Sequence, residues 1–217
     1  MPVESPLYPV NLLVAGRRVL VVGGGRVAAE KARGLLAAGA KVQVVATAVG
    51  EEVRALDVSW VERPYERGEV AGYRLAVACT DDRATNQAVF DDGESAGVWV
   101  NAADDPERCS YTLPARLDRG RVLVTVSTGG HSPALAAWLR DQLAEQVGDE
   151  VDTLAGLLAE ARADLLADGG SSLGANWRAA LDSGMLDLVR AGRTDEAREL
   201  LQASLAPVDP PLPGSLR

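Results

Sequence analysis

Residues 17–28 read RRVLVVGGGRVA, and this stretch decides the fold class. Its first half, Arg17–Val22, is a short, nearly continuous apolar run, as expected of a strand in a parallel sheet that is covered on both faces. Three glycines end the run, and a helical pattern continues from about Arg26 to Ala38. Lys41–Ala46 is the next apolar run, so strand, helix and strand fill about 30 residues. This order predicts the opening unit of a doubly wound sheet.

The pattern Gly23-x-Gly25-x-x-Ala28 spans the turn between this strand and this helix. In that context the first glycine permits a tight turn, the second lets the backbone approach a pyrophosphate, and the small third residue lets helix and strand pack closely. Free N–H groups at the helix start would face the anion. We therefore predict that a dinucleotide cofactor binds at Gly23, Gly24, Gly25, Arg26, Val27 and Ala28. The alternative is a plain turn between a strand and a helix.

Strand and helix patterns keep alternating until about residue 101. The later predicted strands are Val58–Glu62, Arg74–Cys79 and Val98–Asn101, with a helix from about Asp82 to Ser95 before the last of them. This alternation predicts an α/β fold whose N-terminal part is a Rossmann-like doubly wound parallel sheet.

Further cofactor contacts are predicted where these strands end. Thr80 and Asp81 follow one strand and Asn101 ends the next, at the carboxyl edge of the sheet. Capping of the following helix is an alternative role for Thr80-Asp81-Asp82, and the two roles are compatible. The end of the second strand, Ala46-Thr47-Ala48, carries neither the usual ribose-binding acid nor an arginine, so the usual rule does not separate NAD from NADP.

The pattern changes after Asn101. Ser110–Leu113 and Arg121–Val126 are predicted strands, with a hairpin turn at Asp118–Gly120. Because a lone two-stranded hairpin is marginally stable, we predict that these strands pair with another subunit in a homodimer.

The rest of the chain is predicted to be mainly helical. Ser132 is a good N-cap and Pro133 a good first residue for a helix. Helices continue from about Val151, with breaks at Asp168–Ser172 and Ala191–Arg193, and the tail Pro207–Arg217 should be irregular. The predicted domains are residues 1–113 (NAD binding), 114–148 (dimerisation) and 149–217 (helical).

Composition excludes several classes of protein. The chain has 217 residues and a formal net charge of −9, which argues against general nucleic-acid binding. No apolar run approaches the roughly 18 residues of a membrane span. The start of the sequence, with an acid and two prolines, does not resemble a signal peptide. Two cysteines, Cys79 and Cys109, form no disulfide framework and no metal-ligand spacing, which fits a reduced cytoplasm.

Five ordered motifs resemble a known family. They are Val21-Val22-Gly23-Gly24-Gly25-x-Val27-Ala28-x-x-Lys31, Leu35-Leu36-x-Ala38-Gly39-Ala40-x-Val42, Ala78-x-Thr80-Asp81-Asp82-x-x-x-Asn86, Asn101-x-x-Asp104-x-Pro106 and Ser127-Thr128-Gly129-Gly130-x-Ser132-Pro133. As a set, over roughly residues 8–145, they are similar to the precorrin-2 dehydrogenase family, the dehydrogenase/ferrochelatase module of siroheme synthase. The length leaves no room for a fused methyltransferase, so we expect the stand-alone form.

This resemblance implies NAD-dependent oxidation of precorrin-2 to sirohydrochlorin. For some members it also implies insertion of ferrous iron, and it implies a homodimer. It places an active-site aspartate at Asp104. Asp104 follows a strand at the carboxyl edge of the sheet, so we expect it to take the proton that this oxidation releases or to hold a pyrrole N–H. The alternative is a turn cap before Pro106, a role that Asp105 could also fill.

Precorrin-2 is a polycarboxylate, so an acidic protein needs local hydrogen-bond donors for it. The loop before Pro133 offers hydroxyls, glycine N–H groups and a helix start. We therefore predict substrate contacts at Ser127, Thr128, Gly129, Gly130, His131 and Ser132, against the alternative of a plain connection. Further candidate partners for carboxylates are Arg108, Arg116 and Arg119.

The remaining candidates concern metal and the cleft. His131 is the sole histidine, and it is either a surface loop residue or the one imidazole able to accept a pyrrole proton or meet iron. No cluster forms a dedicated metal site, so none is predicted. Tyr111 is a candidate lining residue of the substrate cleft.

Two other functions stay open at this point. One is an NAD-binding chelatase that uses the same cleft without redox turnover. The other is a non-enzymatic NAD-sensing regulator on the same fold, which should carry an output module that the sequence does not reveal.

Overall fold

The structure is a computed structural model that describes residues 6–103, 105–167, 169 and 175–205. It separates into two compact units. The first contains the described residues through Pro114 together with Ser127–Pro133, and the second contains Ala115–Val126 and the described residues from Ala134 onward. The three-part division of the sequence, which includes a dimerisation segment, depends on assembly and stays a prediction.

The first unit is a five-stranded parallel sheet with three α-helices and a short 3₁₀ helix, Pro106–Arg108, in its described part. Its strands are β1 (Arg18–Val22), β2 (Lys41–Ala46), β3 (Ser59–Glu62), β4 (Leu75–Ala78) and β5 (Trp99–Ala102), in the spatial order β3-β2-β1-β4-β5. The helices are α1 (Arg26–Ala37), α2 (Glu51–Arg54) and α3 (Arg83–Ala96). The predicted doubly wound sheet is confirmed, and the predicted strand bounds agree within one residue.

Both faces of the sheet are covered, which explains the continuous apolar run of β1. Val19 and Val21 pack in one core with three buried alanines of α1, whereas Leu20 and Val22 pack in a second core that contains Val89 of α3. Since alternate residues of a strand point to opposite faces, each of these four residues of β1 enters one layer or the other. A strand buried in this way needs apolar side chains at every position.

Asp92 of α3 holds the segment that connects β3 to β4. Its Oδ2 accepts hydrogen bonds from the Tyr65 hydroxyl at 2.8 Å and the Gly68 N–H at 2.6 Å, and its Oδ1 pairs with Arg67 at 2.7 Å. Burial raises the pKa of this carboxyl, but the Gly68, Tyr65 and Arg67 donors outweigh burial and leave the pKa lowered. Asp92 therefore acts as an ionised anchor between α3 and the connecting segment.

The predicted first hairpin strand, Ser110–Leu113, is wrong. The hairpin consists of β6 (Ala115–Arg119) and β7 (Val122–Val126), and the predicted turn residues Asp118 and Arg119 belong to β6. The reason is that the residues after Cys109 are tied to β5: the Ser110 N–H donates to Val100 O at 2.8 Å, and Ser110 Oγ accepts from the Val100 N–H at 2.9 Å. Burial alternates along β6, but most of its residues are polar, so the sequence shows no alternating apolar pattern there.

The second unit adds helices to this hairpin. They are α4 (Pro133–Gln146), α5 (Glu150–Ala167), α6 (Trp177–Asp182), α7 (Met185–Arg190) and α8 (Thr194–Leu205). The start of α4 at Pro133 and the break at Ala191–Arg193 are confirmed, whereas the break between α6 and α7 was not predicted. Of the break predicted at Asp168–Ser172 only Gly169 is described, and the tail Pro207–Arg217 lies outside the described residues.

A separate apolar core holds α5 to α8 together. Leu157, Met185 and Leu201 are among its buried members. The hairpin is joined to α5 by Arg121, whose N–H and guanidinium both bind the carboxylate of Asp152. Among the helices that the structure describes, none is long and apolar enough to cross a membrane.

The Asp92 anchor can be tested by measuring the free energy of unfolding. Asp92→Ala leaves the Gly68 N–H and the Tyr65 hydroxyl without their acceptor, and should cost about 1–3 kcal/mol in denaturant unfolding at pH 7. Because the pKa of Asp92 is lowered in the folded state, its stabilising effect is fully present above about pH 3.9, the pKa of an unfolded aspartate. The effect is lost as the pH falls from this value through the lower pKa of the folded state.

The neighbouring residue provides the control for this test. Asp91 is exposed and its carboxylate accepts from Gln87 on the same helix, so Asp91→Ala should change the free energy of unfolding by less than about 0.5 kcal/mol. Equal losses for the two variants would show that Asp92 is not an anchor.

Candidate functional site

The candidate site lies at the carboxyl edge of the parallel sheet. The strand order reverses between β1 and β4, and ligands of open α/β sheets bind at such a switch point. The chain segments that leave these strands touch each other: the Cys79 N–H donates to Val22 O at 2.8 Å, and the Ala103 N–H donates to Ala78 O at 2.8 Å. The ends of β1, β4 and β5 therefore form one continuous edge.

Gly23 and Gly24 are required by close packing of the protein on itself. Gly23 has a φ of +130°, and a Cβ at this position would lie 2.5 Å from Cys79 O. A Cβ on Gly24 would lie 2.0 Å from Ala48 O, and Gly24 O accepts a hydrogen bond from the Gly50 N–H at 2.9 Å. The loop is thus held between the end of β4 and the turn after β2.

Gly25 differs from the two glycines before it. Apart from its two chain neighbours, no described residue has an atom within 4 Å of the place that the Cβ of residue 25 would take. Gly25 is the N-cap of α1 and offers no side-chain cap, so the first N–H groups of the helix lack that partner. Open space beside uncapped N–H groups fits the approach of a pyrophosphate, which is the role predicted for the second glycine of the pattern.

Thr80 is fixed by a residue that the sequence analysis did not assign to the site. Buried Asn86 of α3 donates to Thr80 O at 2.9 Å, and its Oδ1 accepts from the Thr80 hydroxyl at 2.8 Å. Asp82 is the N-cap of α3 and accepts from the N–H groups of Ala84 and Thr85, so the predicted cap is confirmed. The available signal for Asn86 in the sequence was its place in the motif that begins at Ala78.

Asn101 is buried and serves the fold through its side chain. Its Nδ2 donates to Tyr111 O at 2.9 Å, which ties the chain after Cys109 to the end of β5. Tyr111 packs against the core on the α1 side of the sheet, and burial raises its pKa. The predicted contacts of Asn101 with the cofactor and of Tyr111 with the substrate stay predictions.

Asp104, the predicted catalytic residue, lies outside the described residues. Its neighbour Asp105 is described and forms an ion pair with Arg108, whose Nε also donates to Gln87 Oε1. The carboxylate of Asp105 is therefore occupied by a structural partner. The same pair occupies Arg108, one of the arginines considered for substrate carboxylates.

The predicted substrate loop groups with the first unit, although the hairpin before it belongs to the second. Its two central glycines have positive φ values, +60° for Gly129 and +78° for Gly130. The Thr128 hydroxyl accepts from the Ser132 N–H at 3.1 Å, and Ser127 Oγ accepts from the Gly129 N–H at 3.2 Å. The loop is therefore a closed turn directly before α4.

His131 is exposed, and its ring has a defined orientation. Its Nδ1 lies 2.8 Å from Thr128 O. A carbonyl oxygen only accepts, so this contact requires a proton on Nδ1, and the neutral form of the ring then has its lone pair on Nε2. Of the other candidate arginines, Arg119 binds Val147 O and Asp149 in the second unit, and Arg116 is exposed on β6.

The cysteines and the carboxylates form no metal centre within the described ranges: no three of the His, Cys, Asp and Glu side chains there are grouped to hold an ion. Burial raises the pKa of Cys79 to about 12, although Lys31 opposes the shift, and burial also raises the pKa of Cys109. Both thiols are thus poor nucleophiles and poor metal ligands.

A parallel sheet in this order, with an open glycine loop at its switch point, defines a dinucleotide-binding protein. Residues 10–115 match the family model described as "Putative NAD(P)-binding", and residues 119–146 match the one described as "Sirohaem biosynthesis protein central". A nicotinamide dinucleotide is therefore the cofactor class.

Individual relatives indicate the family more specifically than the two family models do. The siroheme synthase of Azotobacter vinelandii is 38% identical over 201 residues, which are 90% of this chain and 43% of that protein. The siroheme synthase of Actinobacillus pleuropneumoniae serotype 3 is 41% identical over 139 residues, 62% of this chain and 29% of that one. The solved structure of SirC, precorrin-2 dehydrogenase, matches with a TM-score of 0.72 and 25% identity over 91% of this chain and 100% of that chain.

The chain belongs to the family of siroheme synthase and precorrin-2 dehydrogenase, which confirms the resemblance found in the sequence. It spans about two fifths of the length of the Azotobacter relative.

The glycine loop makes a prediction about cofactor binding. Gly25→Asp places a carboxylate in the open space beside the helix start, where it would collide with a pyrophosphate and repel it. Calorimetry should show loss of NAD binding, while the melting temperature stays near that of the parent.

Gly24→Ala is the matched contrast. Its Cβ would overlap Ala48 O, so this variant should lower the melting temperature. A folded Gly25→Asp protein that binds NAD as tightly as the parent would remove the glycine loop from the cofactor site.

Proposed function

We propose that this protein is an enzyme, an NAD-dependent dehydrogenase that oxidises precorrin-2 to sirohydrochlorin. The observation that carries the proposal is the fold match along the whole chain of a precorrin-2 dehydrogenase. The open face of Gly25 at the switch point of the sheet supports the same conclusion, because it suits a dinucleotide.

The oxidation removes a hydride and a proton from the reduced tetrapyrrole. When bound, NAD supplies the hydride acceptor. The protein must supply a base for the proton, and we assign this role to Asp104. Asp104 directly follows Ala103, whose N–H is bonded to the end of β4 at the cofactor edge. Asp105, the alternative carboxylate, is already paired with Arg108.

Substrate carboxylates are assigned to the loop Ser127–Ser132. Positive φ values at Gly129 and Gly130 turn the backbone sharply before the helix α4. The N–H groups of Gly129 and Ser132 are bonded within the loop, whereas those of Thr128 and Gly130 have no hydrogen-bond partner among the described residues. Unbonded N–H groups before a long helix suit anions, and they let an acidic protein bind a polyanion without a large basic surface.

A homodimer is proposed because α4 is left uncovered. Ala136 is its one buried residue, and α4 makes no extensive contact with another helix or strand in the described part of the chain. Leu135 and Trp138 are 46% and 57% exposed on adjacent turns. An isolated helix of this length is marginal in water, so a partner that covers its apolar side is expected.

Insertion of ferrous iron remains a proposal that rests on the family resemblance. The exposed imidazole of His131, with its lone pair on Nε2, is the base that the loop would offer to a pyrrole N–H. Anaerobic addition of ferrous iron to the product would give the siroheme spectrum if the activity is present, and an unchanged spectrum would end this proposal.

The direct test is anaerobic incubation of the parent protein with precorrin-2 and NAD. NADH and the sirohydrochlorin spectrum should appear together. Asp104→Asn keeps the shape of the side chain but cannot take a proton at neutral pH. This variant should retain NAD affinity and lose about 10²–10⁴-fold in rate.

Asp105→Asn is the control for Asp104→Asn. It weakens the pair with Arg108, so it should lower thermal stability with a much smaller effect on the rate. Turnover by Asp104→Asn within about threefold of the parent, a loss far below that of a general base, would reassign the proton to water or to a substrate carboxylate.

Assembly is tested by light scattering at micromolar concentration. The parent should have twice the monomer mass of 22.7 kDa. Trp138→Asp should dissociate it, because a charge would replace the largest apolar side chain of α4. Trp99→Asp, at a residue of β5 that is 45% exposed, should leave the mass unchanged. A monomeric parent would contradict the proposed dimer.

A further inference from the structure

The adenosine side of the sheet edge holds an arginine that the sequence analysis did not consider. Ala46 ends β2 opposite Glu62, which ends β3, and the Arg63 N–H donates to Ala46 O at 2.8 Å. In Rossmann-type proteins the end of β2 is where the ribose 2′ position is recognised, by an acid for NAD or by a nearby arginine for the 2′-phosphate of NADP. Arg63 is therefore in the neighbourhood where a 2′-phosphate would be bound.

The guanidinium of Arg63 is already bound by a carboxylate. Its Nη1 donates to Glu69 Oε2 at 3.0 Å and its Nη2 donates to Glu69 Oε1 at 2.5 Å, a two-pronged pair. Nη1 also donates to Pro64 O at 3.0 Å. The Glu69 side chain is only 15% exposed, so this pair is shielded from water more than most surface ion pairs.

Arg54, the other arginine near this edge, is also bound by a carboxylate. Arg54 Nη2 donates to Glu62 Oε1 at 2.7 Å, and its Nε donates to Val49 O at 3.0 Å. Its guanidinium also lies 4.3 Å from the ring centre of Trp60. Thr47, the first residue after β2, is exposed and uncharged.

We propose that Glu69 determines cofactor specificity by holding Arg63. With Arg63 held by Glu69 and Arg54 held by Glu62, neither arginine beside the end of β2 is free for a 2′-phosphate, and the site takes NAD in preference to NADP. Glu69 is a positioning residue in this proposal, since it acts through Arg63 and touches no cofactor. The inference rests on the proposed cofactor site at the glycine loop.

The test measures dissociation constants for NAD and NADP by calorimetry. The parent should bind NAD at least about tenfold more tightly than NADP, the scale of one charge-assisted hydrogen bond. Glu69→Gln keeps the shape of the side chain and removes its charge. It should lower the dissociation constant for NADP about tenfold and so reduce the ratio of the two constants. The double variant Arg63→Ala/Glu69→Gln should lose this gain.

A second variant covers the case in which Glu69→Gln does not fold. Thr47→Arg adds an unpaired guanidinium at an exposed position at the end of β2, and it should also strengthen NADP binding. A change in overall stability would not alter the NADP to NAD ratio, so the ratio separates specificity from folding.

The outcomes distinguish this inference from the proposed function. In a parent that binds NAD, a ratio that folded Glu69→Gln leaves unchanged would overturn the role of Glu69, and a ratio that Thr47→Arg leaves unchanged would overturn the end of β2 as the place where the 2′-phosphate is recognised. Either result leaves the dehydrogenase proposal standing. Equal binding of NADP and NAD by the parent would also overturn the role of Glu69, and would indicate that another cation, such as exposed Arg26, meets the 2′-phosphate. Failure of the parent to bind either dinucleotide would overturn both proposals.

Discussion

The absence of side chains at Gly23 and Gly24 is the constraint on which the candidate site depends. These two residues touch backbone atoms of the segments that follow β4 and β2, at distances that leave no room for a Cβ. The glycine loop is therefore a joint between three parts of the sheet edge. Because the protein itself fills the space beside the first two glycines, the open face of Gly25 is the one left for a ligand.

Around this joint, most charged groups are already paired inside the protein. Asp105 is held by Arg108, Glu62 by Arg54, and Asp82 by the start of α3. By contrast, the side chains of Arg26, Lys31 and Asp81 have no hydrogen bond or ion pair among the described residues. Pairing of this kind pre-organises a site, because the paired side chains are fixed in position. The unpaired charged groups are then the ones that can bind a ligand.

Much of the fold follows from periodicity. The apolar run of β1 predicted a strand buried on both faces, and its two cores confirm that interpretation. Prediction failed where tertiary bonds override local pattern. Ser110–Leu113 has the composition of a strand, but Ser110 and the amide of Asn101 bind that segment to β5. The glycine turn was predictable because its chemistry is local, whereas the clamp of Asn86 on Thr80 depends on how a helix meets a strand.

The hairpin β6–β7 lies in the sequence between two segments of the first unit, the residues through Pro114 and Ser127–Pro133. These two segments nevertheless belong to one compact unit. The terminal residues of the hairpin, Ala115 and Val126, are partners in the antiparallel ladder, so their Cα atoms are only about 4.5–5.5 Å apart. Pro114 and Ser127, which belong to the first unit, are joined to these two neighbours. The twelve residues from 115 to 126 are thus an insertion whose two ends meet, and a short turn could replace it without moving the chain on either side.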